Sequence, residues 1–309
     1  MAHAATSADD SKFLNARAPL SFRIDPYRYE VTASAKDFVY AASNGTASVS
    51  ALLTWAFGSG EAGQTFVYKK DETFYESRLS YYTTPQTLDF TAGHPRTAPP
   101  SLDSALGKAM DVGEARLCFG CHTTGSTTGS RFDPDRATLG VTCEACHGPG
   151  MEHVATMNLA QGDRGPTMIL NPAGLAPVDS VEFCGACHRA KWDVVLSGAK
   201  GILNVRFQPY RLEGSRCFGE GDPRITCIAC HDPHTPLVHD LVSYDKQCLS
   251  CHQAKGTLKP TRDHPGKACP VREKDCVTCH MPKLNVPEMH RDFTDHRIRV
   301  VRANQPFPD

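Results

Sequence analysis

No stretch of this chain is fit to cross a membrane. Its best apolar run, Val49 to Phe57, is interrupted by Ser and Thr and falls short of the roughly 18 apolar residues a spanning helix needs. A leader is lacking as well. Met1-Ala2-His3-Ala4-Ala5 has neither the basic nor the apolar stretch of an export signal, so the sequence is expected to represent a processed form. An excess of charge is missing too: the formal net charge is −1, which leaves out the basic footprint of a nucleic-acid binder. Apolar side chains are scarce, 40% against the roughly 45–50% of ordinary globular chains, while glycine (24) and proline (22) abound. Over 309 residues such a composition is expected to build a poor core unaided.

Cysteine is plentiful, with 14 residues, and 12 of them fall in six copies of one pentad. The copies are Cys118-Phe-Gly-Cys121-His122, Cys143-Glu-Ala-Cys146-His147, Cys184-Gly-Ala-Cys187-His188, Cys227-Ile-Ala-Cys230-His231, Cys248-Leu-Ser-Cys251-His252 and Cys276-Val-Thr-Cys279-His280. Cys-x-x-Cys-His is the attachment pattern of c-type haem. Two thiols add across the two vinyl groups of a porphyrin, and the adjacent imidazole reaches the iron from one face. A lone Cys-x-x-Cys also suits a redox dithiol or half of a zinc site. Neither of those needs a histidine after every copy, so the sequence predicts six covalent haems c.

The pentads start 25, 41, 43, 21 and 28 residues apart, which excludes a regular solenoid. About 30 residues serve each haem, too few for a polypeptide core around each. The fold is therefore expected to be mostly irregular and helical, a few short helices wrapped around a haem core. A small β-rich module is expected at residues 21–93, where Ser48 to Phe57 alternates and Thr73 to Tyr82 reads as a returning strand after a turn at Lys69 to Glu72. Residues 1–20 read as a polar arm, 94–298 as the hexahaem domain with a first helix over Ser104 to Cys118, and 299–309 as a tail.

Fourteen histidines are present, and six of them close the pentads. Of the other eight, His94, His153, His234, His264, His290 and His296 are the expected distal ligands, with His3 and His239 as spares. His153 and His234 lie too close to their own pentads to reach the far face of the same haem, so each is expected to serve a neighbour. Asp295 is placed to hold an imidazole nitrogen of His296. Met110, Met151, Met157, Met168, Met281 and Met289 are rival ligands that would raise the potential. Two cysteines remain, Cys217 and Cys269. An oxidising compartment favours a disulfide between them, against buried thiols or an intermolecular bond.

These motifs resemble the multihaem cytochromes c. The similarity is greatest to the branch marked by Cys-x-x-Cys-His-Gly-Pro-Gly-x-x-His, here Cys143 to His153, which includes the tetrahaem cytochrome of ammonia oxidation. Cys230-His-Asp-Pro-His234, Cys279-His-Met-Pro-Lys283 and Trp55-Ala-Phe-Gly-Ser-Gly60 fit the same group, and the likeness spans about residues 50–298. It implies stacked haem pairs, bis-histidine ligation and electron carriage.

The expected protein is thus an electron carrier of the periplasm or cell exterior, not an enzyme. Its expected partners are redox proteins or extracellular acceptors, with no nucleic acid and no membrane span. Head-to-tail assembly into a conductive filament, through the arm, the Arg-rich tail, His3 or His94, stands as an equal alternative to a periplasmic monomer. The alternatives are a reductase with one open haem or the electron-entry subunit of a membrane complex.

Overall fold

The structure is a computed structural model of the chain, and it describes residues 1–35, 37–159, 168–219, 224–252, 268–302 and 307. Two compact units divide it: Met1–Leu170 with Pro287–Arg291, and Asn171–Val286 with Asp292–Asp309.

Ten strands dominate the first unit. They are β1 (Ala5–Ser7), β2 (Leu20–Ile24), β3 (Tyr27–Ser34), β4 (Asp37–Ser43), β5 (Ser48–Leu52), β6 (Trp55–Phe57), β7 (Gly63–Lys70), β8 (Thr73–Tyr82), β9 (Thr87–Phe90) and β10 (Gly107–Met110). One antiparallel sheet is ordered β2-β3-β4-β5. The other is ordered β1-β6-β7-β8-β10, with β9 also on β8.

The expected small β-module around a haem core is overturned. The β-rich region is large, runs from Ala5 to Met110, and has a polypeptide core of its own. Composition misled because it averages two regimes. Seven of the nine tyrosines lie between Tyr27 and Tyr82, and five of them (Tyr27, Tyr29, Tyr40, Tyr68 and Tyr81) are buried in the cluster between the sheets. The first twenty residues are not a loose arm either. They carry β1, paired in register with β6 from Ala5↔Phe57 to Ser7↔Trp55. They also carry helix α1 (Lys12–Arg17), capped by Ser11, whose hydroxyl accepts from the Leu14 N–H.

Ser48 to Phe57 is not one strand. Leu53 N–H donates to the Phe38 carbonyl of the first sheet, and the next N–H, that of Thr54, donates to Val67 of the second. The chain changes sheet between these two residues, so Leu53 joins the inter-sheet core while Trp55 and Phe57 do not. Beyond the crossover the pleat alternates: Ala56, Phe66 and Tyr68 face the inter-sheet core, and Trp55, Phe57 and Val67 face the other side. The second sheet is thereby apolar on both faces, and its outer face seats helix α2 (Val112–His122) through Ala115 and Phe119.

Helix α2 starts eight residues later than expected, because Gly107–Met110 pairs with β8 as an edge strand. Asp111 and Glu114 then form a capping box. The Asp111 carboxylate accepts from Glu114 N–H at 2.8 Å, and the Glu114 carboxylate accepts from Asp111 N–H at 3.2 Å. The unit also holds α3 (Cys143–His147) and α4 (Met151–Leu159).

The second unit is helical. It contains α5 (Pro177–His188), α6 (Lys191–Ser197), α7 (Gln208–Glu213), α8 (Arg216–Gly219), α9 (Asp245–His252) and α10 (Cys276–His280), with a 3-10 turn at Cys227–Ala229. Among the described residues, both clusters of buried apolar side chains lie in the first unit.

Candidate haem-binding site

Five pentads close an α-helix on their histidine: α2, α3, α5, α9 and α10. The fourth begins as the 3-10 turn at Cys227. In a helix, positions i, i+3 and i+4 share a face. The two thiols and the imidazole of a pentad are therefore presented together on one side, as a planar ring bonded at two points and ligated at its centre requires.

Three of the pentad imidazoles are held in one tautomer by backbone carbonyls. The Nδ1–H of His122 donates to Ala4 O at 2.7 Å, that of His147 to Leu170 O at 2.8 Å, and that of His280 to Arg299 O at 2.9 Å. A ring whose Nδ1 is engaged in this way offers Nε2 to a metal, the usual arrangement around a ligating histidine. His122 also lies flat on Phe57, with centroids 4.9 Å apart and planes 2° from parallel. Burial lowers its pKa, against the opposing pull of the Ala4 carbonyl, so the ring is held neutral.

The expected distal histidines fall into different settings. His296 has the same tautomer as His122, His147 and His280, with Nδ1 on Thr294 O at 3.0 Å, and its ring centre lies 6.1 Å from that of His231. Burial pushes its pKa down to about 4. His94 and His290 present the opposite nitrogen: Nε2 of His94 meets Glu76 at 2.9 Å and Nε2 of His290 meets Asp89 at 2.7 Å. Iron would have to displace those carboxylates or take Nδ1. His153 sits half-buried on α4, and His234 is exposed with Nδ1 3.4 Å from Asp232. His264 lies outside the described residues. Of the spares, His3 and His239 are both exposed.

Asp295 does not hold His296. Its buried carboxylate takes Arg211 on both oxygens, Nε on Oδ1 at 2.9 Å and Nη2 on Oδ2 at 3.1 Å, and also accepts from Arg299 at 2.6 Å and the Arg297 N–H at 3.0 Å. Desolvation raises the Asp295 pKa, but these donors outweigh it and leave the group below its ordinary value.

In the second unit the pentads meet in pairs. Helix α5, which ends on pentad three, packs against the turn at Cys227–Ala229 that opens pentad four, and the Cys184 and Cys227 thiols shift each other's titration, Cys184 down and Cys227 up. Helices α9 and α10, which end on pentads five and six, pack together in the same way. Asp245 fixes the second pair. It opens α9, and its buried carboxylate accepts from the N–H groups of Asp275 (2.7 Å) and Cys276 (2.9 Å) at the start of α10. Burial raises its pKa, the two amides lower it, and the net shift is downward.

A folded-state value below the unfolded 3.8 means stability that is present above that pH and lost as pH falls through the folded value. Asp245→Asn is therefore expected to cost about 1.5–3 kcal/mol at neutral pH. The gap from wild type should close as pH falls through the folded value into strong acid, as followed by denaturant titration at neutral and acid pH.

Cys217 lies close enough to Cys230 and Cys248 to raise both thiols further, after burial. Cys269 is lowered by the amides of Arg272 and Val271. Among the described residues no disulfide is formed at Cys217 or Cys269.

The surfaces around the pentads suit a flat apolar group. Trp192 is 64% exposed, Leu196 84%, Met151 82% and Val271 82%. Each lies within about eight residues of a pentad in sequence, where a porphyrin held by that pentad could cover it.

Residues 83–148 match the family model for cytochrome c554 and c-prime. The match supports a cytochrome c family, and with it haem c, iron and electron transport. It takes in His94 and the first two pentads, through Cys118–His122 and Cys143–His147. No curated protein and no solved structure matches the chain. Among the described residues no helix is long and apolar enough to cross a membrane.

Several site residues escaped the sequence reading. Phe119 had a visible signal, an aromatic residue inside a pentad. Ala4 and Leu170 act through their carbonyls and had none. Arg211 and Asp245 are charged residues far in sequence from the groups they hold.

Proposed function

We propose that this chain is a hexahaem c-type cytochrome of the periplasm or cell exterior, carrying electrons along closely spaced haems with two imidazoles on each iron. The observation that carries the reading is the packing of pentad three against pentad four and of pentad five against pentad six, the second pair tied by Asp245. These pentads are the attachment points of four different haems. Pentads that pack together bring the attached rings close, toward van der Waals contact at about 3.5–4 Å. When bound, haem supplies the one-electron couple. The chain supplies attachment, a fixed imidazole tautomer through Ala4, Leu170 and Arg299, and the apolar coat. Haem attachment of this kind follows export, which supports the location and a Cys217–Cys269 disulfide in the mature protein.

The proposal stops at the carrier and does not extend to a filament. With β1 paired to β6, the arm expected to reach a neighbour is committed to its own sheet. Intact mass of the denatured holoprotein is expected to equal the polypeptide plus six haems. Fewer than six would sink the count, and high-spin ferric signal from one haem in six would favour the reductase instead. Peptide mapping without reductant is expected to recover one peptide joining Cys217 to Cys269, and alkylation of both in the native protein would refute the bond.

A further inference from the structure

We infer that His296 is the distal ligand of the fourth haem, so that His231 and His296 bracket a single iron. The inference rests on the hexahaem reading and assigns one pairing within it. A metal–imidazole bond of about 2.0 Å, with roughly another 1.1 Å from nitrogen to ring centre, places two trans imidazoles roughly 6.2 Å apart, centre to centre. The rings of His231 and His296 are 6.1 Å apart. Both belong to the second unit, so the spacing is internal to one compact body.

The tautomer agrees. Nδ1 of His296 is spent on Thr294 O, which turns Nε2 away from its own backbone and leaves it for a metal. His94 and His290 are expected ligands too, yet their Nε2 atoms are on carboxylates.

The position of His296 is also built. The preceding residue, Asp295, is anchored by the buried Arg211 fork, and Ser215 fastens the next turn, donating to the His296 carbonyl at 3.1 Å and accepting from Ile298 N–H at 2.8 Å. A ligand that must meet an iron within a few tenths of an ångström needs such support. His188 of the third pentad is the rival, since it also lies near enough to act electrostatically on His296.

The test uses the loaded holoprotein. His296→Ala is expected to turn one haem in six from low to high spin by EPR and electronic absorption, with the intact mass still showing six. His296→Met is expected to restore six-coordination with a raised potential for that haem. The same H296A change is then made in a Cys227→Ser/Cys230→Ser background, which lacks the fourth haem and reads five by mass. There it is expected to add no high-spin signal. A new high-spin haem in that background assigns His296 to another iron and overturns the pairing, as does an unchanged spectrum of H296A in the six-haem protein. Neither result touches the haem count, whereas a wild-type mass below six haems overturns the underlying reading instead. Should the five-haem protein fail to fold, an experimental density map of the wild-type holoprotein decides: the fourth iron lies between His231 and His296, or the inference is wrong.

Discussion

Replacing Asp295 with Ala is expected to cost about 3–5 kcal/mol of folding stability, the range for breaking a buried ion pair by removing one partner. The reason is what remains. Arg211 is 2% exposed and spends its fork on the two oxygens of Asp295. Without the carboxylate, an always-charged guanidinium stays buried beside the Phe307 ring, 4.2 Å from its centroid. Arg299 and the Arg297 amide lose an acceptor as well. A double replacement, Asp295→Ala with Arg211→Met, is expected to recover most of the loss, because it removes the stranded charge along with its partner. Acid acts on the same bond. The Asp295 pKa is lowered in the folded state, so its contribution is intact above the unfolded 3.8 and disappears as pH falls through the folded value. D295A is therefore expected to be far less stable than wild type at pH 7 and to converge with it in strong acid. Equal stability at pH 7 would show that the fork contributes nothing.

Phe119→Ala is expected to cost a similar amount, about 3–5 kcal/mol, by opening a cavity where a fully buried ring stood. Phe119 is 0% exposed and meets Trp55, Phe57, Phe74 and Phe132 with centroids 5.0, 5.0, 5.4 and 5.7 Å away, all at steep angles suited to edge-to-face contact. The same helix turn carries Cys118, Cys121 and His122. Loss of the ring should therefore loosen the first haem along with the sheet, and F119A is expected to show a broadened or high-spin component absent from wild type. Phe119→Leu, which keeps most of the volume, is expected to lose less than half as much. Thermal or denaturant unfolding of the three proteins checks the order.

The pentads were legible because their signal is local. Thr73–Tyr82 was legible for the same reason: a run rich in strand-forming residues after a turn at Lys69 to Glu72 reads as a returning strand. What failed was whatever depends on distant pairing. β1 is a strand only because β6 lies ready to receive it, and Gly107–Met110 is a strand only because β8 has an open edge. The sheet change at Leu53–Thr54 leaves the alternation of Ser48 to Phe57 unbroken, so periodicity alone cannot reveal it. Histidine supply was countable from the sequence, but its allotment was not. His94 and His290 look as eligible as His296, and only tertiary placement puts carboxylates on the first two. Asp295 finds its partner 84 residues away, at a distance where its neighbour His296 was the only visible candidate.

The carbonyls that orient His122 and His147 belong to Ala4 and Leu170. Every residue type supplies a backbone carbonyl, so the orientation of these two rings is not written in any side chain. Drift at Ala4, or at the exposed Leu170, leaves the acceptor in place as long as the local backbone keeps its path. The carbonyls behind the imidazoles can then persist between distant relatives with no trace in an alignment, and a mutational scan of those positions will come back silent where the geometry is most constrained.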